Sequence, residues 1–482
     1  MTWTASQDIL PPVPPARRLD PAPEGPVGAV ELTASHLTSS AYTVSDFERS
    51  LDGLVREAHR DRRRLVRTLA DVLGDRHPEE AGAHRLGGLD VVVASLLWRV
   101  PGYSLAPQYV RRGPGHGECA QGGLELVLTA RLREIGYALM SKEPLPFLLS
   151  TPTWDTGALD AAELVERLTA YRRLGALPGP ADFGQALLRV RRGDPGAAGA
   201  AAAAATRLGT AEGARLAAWL GPEGEPAPAH RRVVEPDPAT HRAWRRTGAA
   251  AAQVAYRSAE RPALQGEFPE PFRWLGRPHD GFTQCYHWHG GHPVRASVLP
   301  EDRETQAAWL LPQVTLAATT DDPGGSWMLP HLARLGGPAG PALHAALAAG
   351  LGGRYVESRR PAVEALLVLA DRGELDAPLL GRELAAMAAL GTVKPNRLAD
   401  AARSAAAAGA HATLWTVLAE VLPALLPSVR GAGEVLAVAA SCAERAGATG
   451  RVPDAVATVA SRRGSSGLVS EARRLSAALA GT

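Results

Sequence analysis

Cysteine is scarce: Cys119, Cys285 and Cys442 are the three in 482 residues. An odd number of thiols set far apart does not make a disulfide framework and points to a reducing compartment. No stretch approaches the roughly 18 uninterrupted apolar residues a membrane helix needs. The opening MTWTASQDILPPVPPARR lacks a basic start followed by an apolar run, so no signal peptide is expected. These absences lead to the expectation of a cytoplasmic protein with no membrane partner. Excess charge is also missing. With 52 basic and 50 acidic side chains the formal net charge is +2, which excludes a polyanion-coating protein and leaves nucleic-acid binding to a local patch. Absent as well are a GxxxxGK[ST] phosphate loop, a GxSxG elbow, an HExxH helix and a dinucleotide GxGxxG. No cofactor is therefore expected.

What is present is length, glycine and proline. At roughly 150 residues per domain the chain has room for about three domains and needs neither disulfide nor metal to bury a core. Glycine (50) and proline (39) are both abundant, while aromatics make up only 5%. Residues 1–30 carry seven prolines from Pro11 to Pro26 and few large apolar groups, the composition of a disordered tail. Residues 31–221 read as an N-terminal helical, repeat-like domain. Ser45 with Glu48, and Asp160 with Glu163, resemble capping boxes at helix starts. The alanine run Ala197–Ala205 has high helix propensity. Over 222–300 helical periodicity fades while proline and aromatics rise together, which predicts an irregular segment with its own small core and short strands.

Residues 301–482 read as a C-terminal helical-repeat domain. Val363, Leu366, Leu367 and Ala370 follow i, i+3, i+4, i+7 spacing, and Leu414, Leu418, Val421, Leu422 and Leu425 extend the same rule. Pairing neighbouring helices as hairpins puts first helices near 341, 377, 412 and 454, the period of two-helix solenoid repeats. One repeat cannot bury its apolar stripe alone, so the hairpins must stack. The expected fold is mainly α, a HEAT-like solenoid with an irregular aromatic-rich central segment.

Several strings carry a more specific signal: LLSTPTWDTGALDAAELVERLTAY from Leu148, PADFGQALLRV from Pro180, DRGELDAPLLG from Asp371, GTVKPNRLADAAR from Gly391 and RRGSSGLVSEARRL near the end. Across about 120–480 the chain resembles an uncharacterised family of large bacterial helical-repeat proteins. Their genes tend to lie beside those of MoxR-type ATPases, von Willebrand A domain proteins and SWIM zinc-finger proteins. The resemblance implies helical repeats and an assembly role, with a MoxR-type ATPase or its substrate as protein partner, and transfers no site residue.

The sharpest local chemistry is Cys285, His287, His289 and His292 in QCYHWHGGHP. On an extended segment Cys285, His287 and His289 share one face, and a Gly290–Gly291 turn would return His292 toward them, giving four zinc-compatible ligands. The spacing is not that of a familiar zinc motif, and the preferred reading buries Tyr286 and Trp288 and leaves the histidines solvated. His116, Glu118 and Cys119 read as a loop tip, and Cys442 as a small buried hydrophobe on a helix stripe. Arg56, Arg60, Arg63, Arg64 and Arg67 share one side of a helix and would grip phosphates, but without interleaved aromatics a solvated face is preferred and nucleic acid is not the expected partner. Glu301, Asp302 and Glu304 precede an apolar run, as acidic residues do at a helix start.

The functional expectation is a non-enzymatic scaffold or adaptor. Its partner surface is assigned to charged loops of the C-terminal solenoid, with Arg360, Lys394, Arg397 and Arg463 as partner-binding residues. The alternatives are a metal-dependent hydrolase built on the Cys285 to His292 cluster and a nucleic-acid-binding helical repeat.

Overall fold

A computed structural model describes residues 7–38, 43–73, 88–97, 121–141, 145–235, 251–279, 293–322, 325–426 and 430–481. Among these residues there are twenty α-helices and a single two-stranded sheet, so the protein is mainly α, as its apolar spacing predicts.

The N-terminal body begins with α1 (Gly25–Thr38) packed on α2 (Val44–Leu73). Then α3 (Leu89–Leu97) packs on α4 (Gln121–Met140), which packs in turn on α6 (Pro180–Arg189). Three further helices, α5 (Ala161–Leu174), α7 (Pro195–Arg207) and α8 (Ala211–Trp219), pack on one another. The alanine run lies within α7, whose start is capped by Asp194 accepting from the Gly196 and Ala197 amides. Two expected capping boxes are corrected. Helix α2 starts two residues earlier, where Thr43 Oγ1 accepts from the Asp46 amide and donates to the Asp46 carboxylate. Asp160 makes no cap hydrogen bond and instead accepts from the Trp154 indole.

The middle segment holds the antiparallel strands β1 (His230–Val234) and β2 (Gln253–Arg257), with His230 opposite Arg257 and Val234 opposite Gln253. After them come α9 (Pro262–Gly266), a short 3-10 turn at Glu270–Trp274 and α10 (Pro293–Ala296). Phe268 stands between Trp219 and Phe272, with ring centres 5.0 and 5.7 Å away. The strands do not stand apart, since Arg231 and the Tyr256 hydroxyl both donate to the buried Glu383 carboxylate at 3.0 and 2.9 Å.

The solenoid contains five hairpins: α11 (Arg303–Thr319) with α12 (Leu329–Arg334), α13 (Pro341–Leu351) with α14 (Val356–Asp371), α15 (Ala377–Ala389) with α16 (Pro395–Ala407), α17 (His411–Leu425) with α18 (Ala432–Arg445), and α19 (Asp454–Ala460) with α20 (Gly467–Ala480). Each first helix packs on the first helix of the next hairpin, and each second helix on the next second helix. Two layers result, with Leu347, Leu384, Trp415, Leu418, Leu436 and Leu475 among the side chains buried between them. Four hairpins match the sequence period. The first is not marked by the sequence period, because a proline, Pro312, lies within its long helix and its second helix is short.

The expectation of a disordered tail over 1–30 is corrected for the described part. Residues 7–24 form an extended strap laid across the molecule, and α1 starts at Gly25. The Asp8 carboxylate accepts from the Ala412 and Thr413 amides at 2.6 and 2.9 Å, and the Val13 amide donates to Asp371 at 3.1 Å. Farther on, Leu19 N–H donates to Thr153 and Asp155 N–H donates to Arg17. Proline fixes φ in advance, so an extended proline-rich segment has less entropy to lose on docking than its composition alone suggests.

The same device recurs at three helix starts that carry no capping side chain of their own. Helix α6 follows Gly179, α13 follows Gly340 and α17 follows Ala410. Each receives a carboxylate from elsewhere. Glu134 of α4 accepts from Ala181 and Asp182, Glu304 of α11 accepts from Ala342 and Leu343, and Asp8 of the strap serves α17. A β-carbon on Gly179 would lie 2.2 Å from Glu134 Oε1, and one on Gly340 would lie 2.7 Å from the Glu304 carboxyl carbon. Glycine makes room for the visiting carboxylate, which offsets the positive end of the helix dipole.

Candidate functional site: an arginine-lined cleft

The solenoid has two edges. At one lie the described parts of the links within hairpins, 320–322 with 325–328, 352–355, 390–394, 426 with 430–431, and 461–466; at the other lie the links between hairpins. Arg360, Lys394, Arg397 and Arg463 all belong to the within-hairpin edge, and Arg360, Lys394 and Arg463 are exposed. Arg397 is different: its Nη1 donates to the Ala318 carbonyl at 2.7 Å and ties α16 to the end of α11. Burial, with Arg354 and Arg359 nearby, pulls its pKa down. It serves packing before any partner.

Cys285, His287, His289 and His292 lie outside the described residues, as do His116, Glu118 and Cys119. Among the described residues no group of three or more His, Cys, Asp or Glu side chains is placed to hold a metal ion. Cys442 is buried in α18, and that burial, with Asp8 adding to it, pushes its thiol up to about 12, so it carries no reactive thiolate. The expected continuous basic face of α2 is broken at Asp61 (φ −156°, ψ 87°), whose carboxylate caps the second half of the helix through the Arg64 amide. Arg56 pairs with Asp52 and lies over the Phe147 ring, Arg60 pairs with Glu57, and Arg63, Arg64 and Arg67 are exposed.

Beneath α2 lies a fully buried charge cluster. Glu48 accepts from Arg131 Nη1 and Nη2 at 2.8 Å each and from Arg189 Nη2 at 2.7 Å. Asp182 accepts from Arg131 Nε and the Leu149 amide, while Arg189 Nη1 donates to the Ser150 carbonyl. Burial alone would raise the Glu48 carboxyl, but the two guanidiniums hold it down at about 2. With every member paired and no solvent access, the cluster fastens α2, α4 and α6 together and offers no reacting group to a substrate.

A second charged group is open. On the between-hairpin edge, where the solenoid meets the N-terminal body, is a cleft of about 490 Å³. One wall is Trp154 with Arg191 and Arg192, just after α6; the other is Glu301, Arg334 and the Gly336–Gly337 turn, with Arg372 and Glu374 beside it. Ala16 of the strap reaches its rim. The Arg191 guanidinium lies 5.2 Å from the Trp154 ring centre, and Arg192 lies 5.8 Å from that of Trp219. Arg372 pairs with Glu374 at 3.0 Å and donates to the Arg334 carbonyl, and Glu374 also takes Arg303 at 2.7 Å. Glu301 is buried behind Gly336, where a β-carbon would come within 2.3 Å of its Oε1. Burial raises its carboxyl to about 7, against the opposing pull of Arg191, Arg192 and Arg303. In the sequence Glu301 stands as a dipole-favoured acid just before a helix, and no local spacing joins it to Arg191 or Arg372.

Residues 121–269, under a third of the chain, match the model of a domain of unknown function, DUF7824. That stretch supplies Trp154, Arg191 and Arg192 to the cleft and Arg131, Asp182 and Arg189 to the buried cluster. No curated protein and no solved structure matches the chain.

Proposed function

We propose that this chain is a non-enzymatic helical-repeat scaffold or adaptor, cytoplasmic, with the within-hairpin edge of its solenoid as the surface for a protein partner. The observation that carries this reading is the asymmetry of the two edges. The between-hairpin edge is engaged internally, by the strap at Asp371 and Ala412 and by the N-terminal body around Glu301. The other edge carries Arg360, Lys394 and Arg463 in the open on three successive or nearby hairpins. A repeat array presents such an edge as a long, shallow surface, a shape suited to another protein rather than to enclosing a small substrate. The sequence resemblance supports a MoxR-type ATPase, or a substrate delivered to it, as the partner.

The test uses the full chain and a purified MoxR-type ATPase from the same source, with binding followed by biolayer interferometry over a salt series. The expected result is saturable binding that weakens about tenfold, chiefly in association rate, when Arg360, Lys394 and Arg463 are all changed to glutamate. Equal binding by the folded triple variant would remove this edge from the interface, and no binding by the parent would remove the ATPase.

A further inference from the structure

We propose that the arginine-lined cleft binds a compact polyanion, a small molecule carrying phosphate or carboxylate groups. The inference is independent of the scaffold reading, since the cleft and the proposed partner surface lie on opposite edges of the solenoid.

The cleft's volume of about 490 Å³ falls in the range of small-molecule sites. Four arginines, Arg191, Arg192, Arg334 and Arg372, line it from three separate stretches of chain, with Arg334 also paired to Glu364 at 3.1 Å. The carboxylates that line it do not cancel them evenly. Glu374 is already bridged by Arg303 and Arg372, and Glu301 is drawn back behind the glycine turn, leaving Glu225 exposed at the rim. A cleft lined this way concentrates positive potential between walls of low polarizability.

Two of the arginines are held in advance. Arg191 is stacked on Trp154 and steadied by Asp160 at 3.8 Å. Arg192 is fixed beside Trp219, and its buried Nη1 has no acceptor among the described residues. Gly224 leaves the room it needs, because a β-carbon there would lie 2.5 Å from Nη1. Planar guanidinium forks suit both phosphate and carboxylate, which share this chemistry.

Glu301 gives the site a signature that a merely structural pocket lacks. It faces Arg191 and Arg192 from the N-terminal body, Arg192 also through its backbone amide, and Arg303 from α11, with the Gly336 turn packed against it. With its carboxyl lifted to about 7, it is mostly neutral at pH 6 and mostly ionised at pH 8, so bound anions are repelled more as pH rises.

Isothermal titration of the full chain at fixed ionic strength tests the assignment, with inorganic pyrophosphate and citrate as separate arms and sulfate, whose charge is constant over the range, as the pH probe. One of the first two is expected to bind saturably, one per chain, and which one does so identifies the source of the anion. Arg372→Glu is expected to weaken it at least tenfold, and Arg63→Glu, on the exposed second half of α2, to leave it unchanged. Sulfate affinity should fall several-fold from pH 6 to pH 8 in the parent and stay flat in Glu301→Gln. If Arg372→Glu does not fold, Arg191→Gln, on a half-exposed side chain, carries the same comparison. No saturable binding in either arm, or binding indifferent to both arginine variants, overturns the proposal. So does a pH dependence that Glu301→Gln preserves.

Discussion

Replacing Glu48 by glutamine should be among the most damaging conservative changes available in this protein. Glu48 is fully buried and, among the described residues, is the one carboxylate paired with Arg189, while Arg131 keeps Asp182 at 3.3 Å. Glutamine preserves the shape and leaves two buried cations facing one carboxylate. Breaking a buried pair in this way costs about 3–5 kcal/mol, because the surviving charge is stranded away from water. The acid side gives an independent measure. The folded carboxyl is held at about 2, below its ordinary value of 4.5. Its contribution is therefore fully present above the unfolded value and is lost as pH falls toward the folded one. That difference corresponds to about 3 kcal/mol, in line with the first figure. Thermal unfolding of the full chain followed by tryptophan fluorescence should show the Glu48→Gln midpoint lowered by roughly 3–5 °C at pH 7. The gap from the parent should narrow on titration toward pH 3. Glu444→Gln, which loses an exposed pairing with Arg474, is the control and should change stability by less than about 1 kcal/mol. A Glu48→Gln midpoint within about 2 °C of the parent would refute the reasoning.

Gly409→Val should release the strap, since the native φ is +98° and a β-carbon would lie 2.1 Å from the Ile9 carbonyl oxygen; trypsin should then cut after Arg17 and Arg18 several-fold faster, and an unchanged rate would count against the strap's docking. Trp415→Ala removes a fully buried side chain from between the solenoid layers and should lower stability by about 3–5 kcal/mol in urea unfolding. Metal analysis of the purified chain is expected to find far less than one zinc per chain and melting unaffected by chelator; stoichiometric zinc that His287→Ala or His289→Ala reduces would restore the hydrolase reading.

The helices were legible because their information is local. Apolar spacing located the C-terminal hairpins to within a residue or so, with starts at Pro341, Ala377, His411 and Asp454. Periodicity also identified the middle segment as the place where helix gives way to strand. What misled was polar chemistry read locally. Glu48 sits where a capping box would use it, yet its carboxylate turns inward to two arginines from helices far along the chain. Glu304 does stand in the first turn of its own helix, beside the Asp302 cap, yet its carboxylate also caps α13, the first helix of the next hairpin. Charge at a helix start is ambiguous in sequence because the same side chain can serve its own amides or a neighbour's, and only packing decides which.

The strap shows the same limit at larger scale. Its composition, seven prolines with few large apolar groups, correctly implies that it cannot form a core of its own. It does not imply disorder, because Asp8, Leu10 and Val13 need only a surface already built by others, and the solenoid provides one at Ala412 and Asp371. The cleft arises in the same way, where segments around 154, 191, 301, 334 and 372 converge, each unremarkable in its own stretch of sequence. A site made by docking finished units against one another leaves no motif, since no single segment contains enough of it. Its trace is indirect: the glycines at 336 and 340 stand where a side chain would collide with a carboxylate from a separate stretch of chain. Glycines next to helix starts with no serine, threonine or aspartate cap are therefore the sequence feature from which such contacts can be sought.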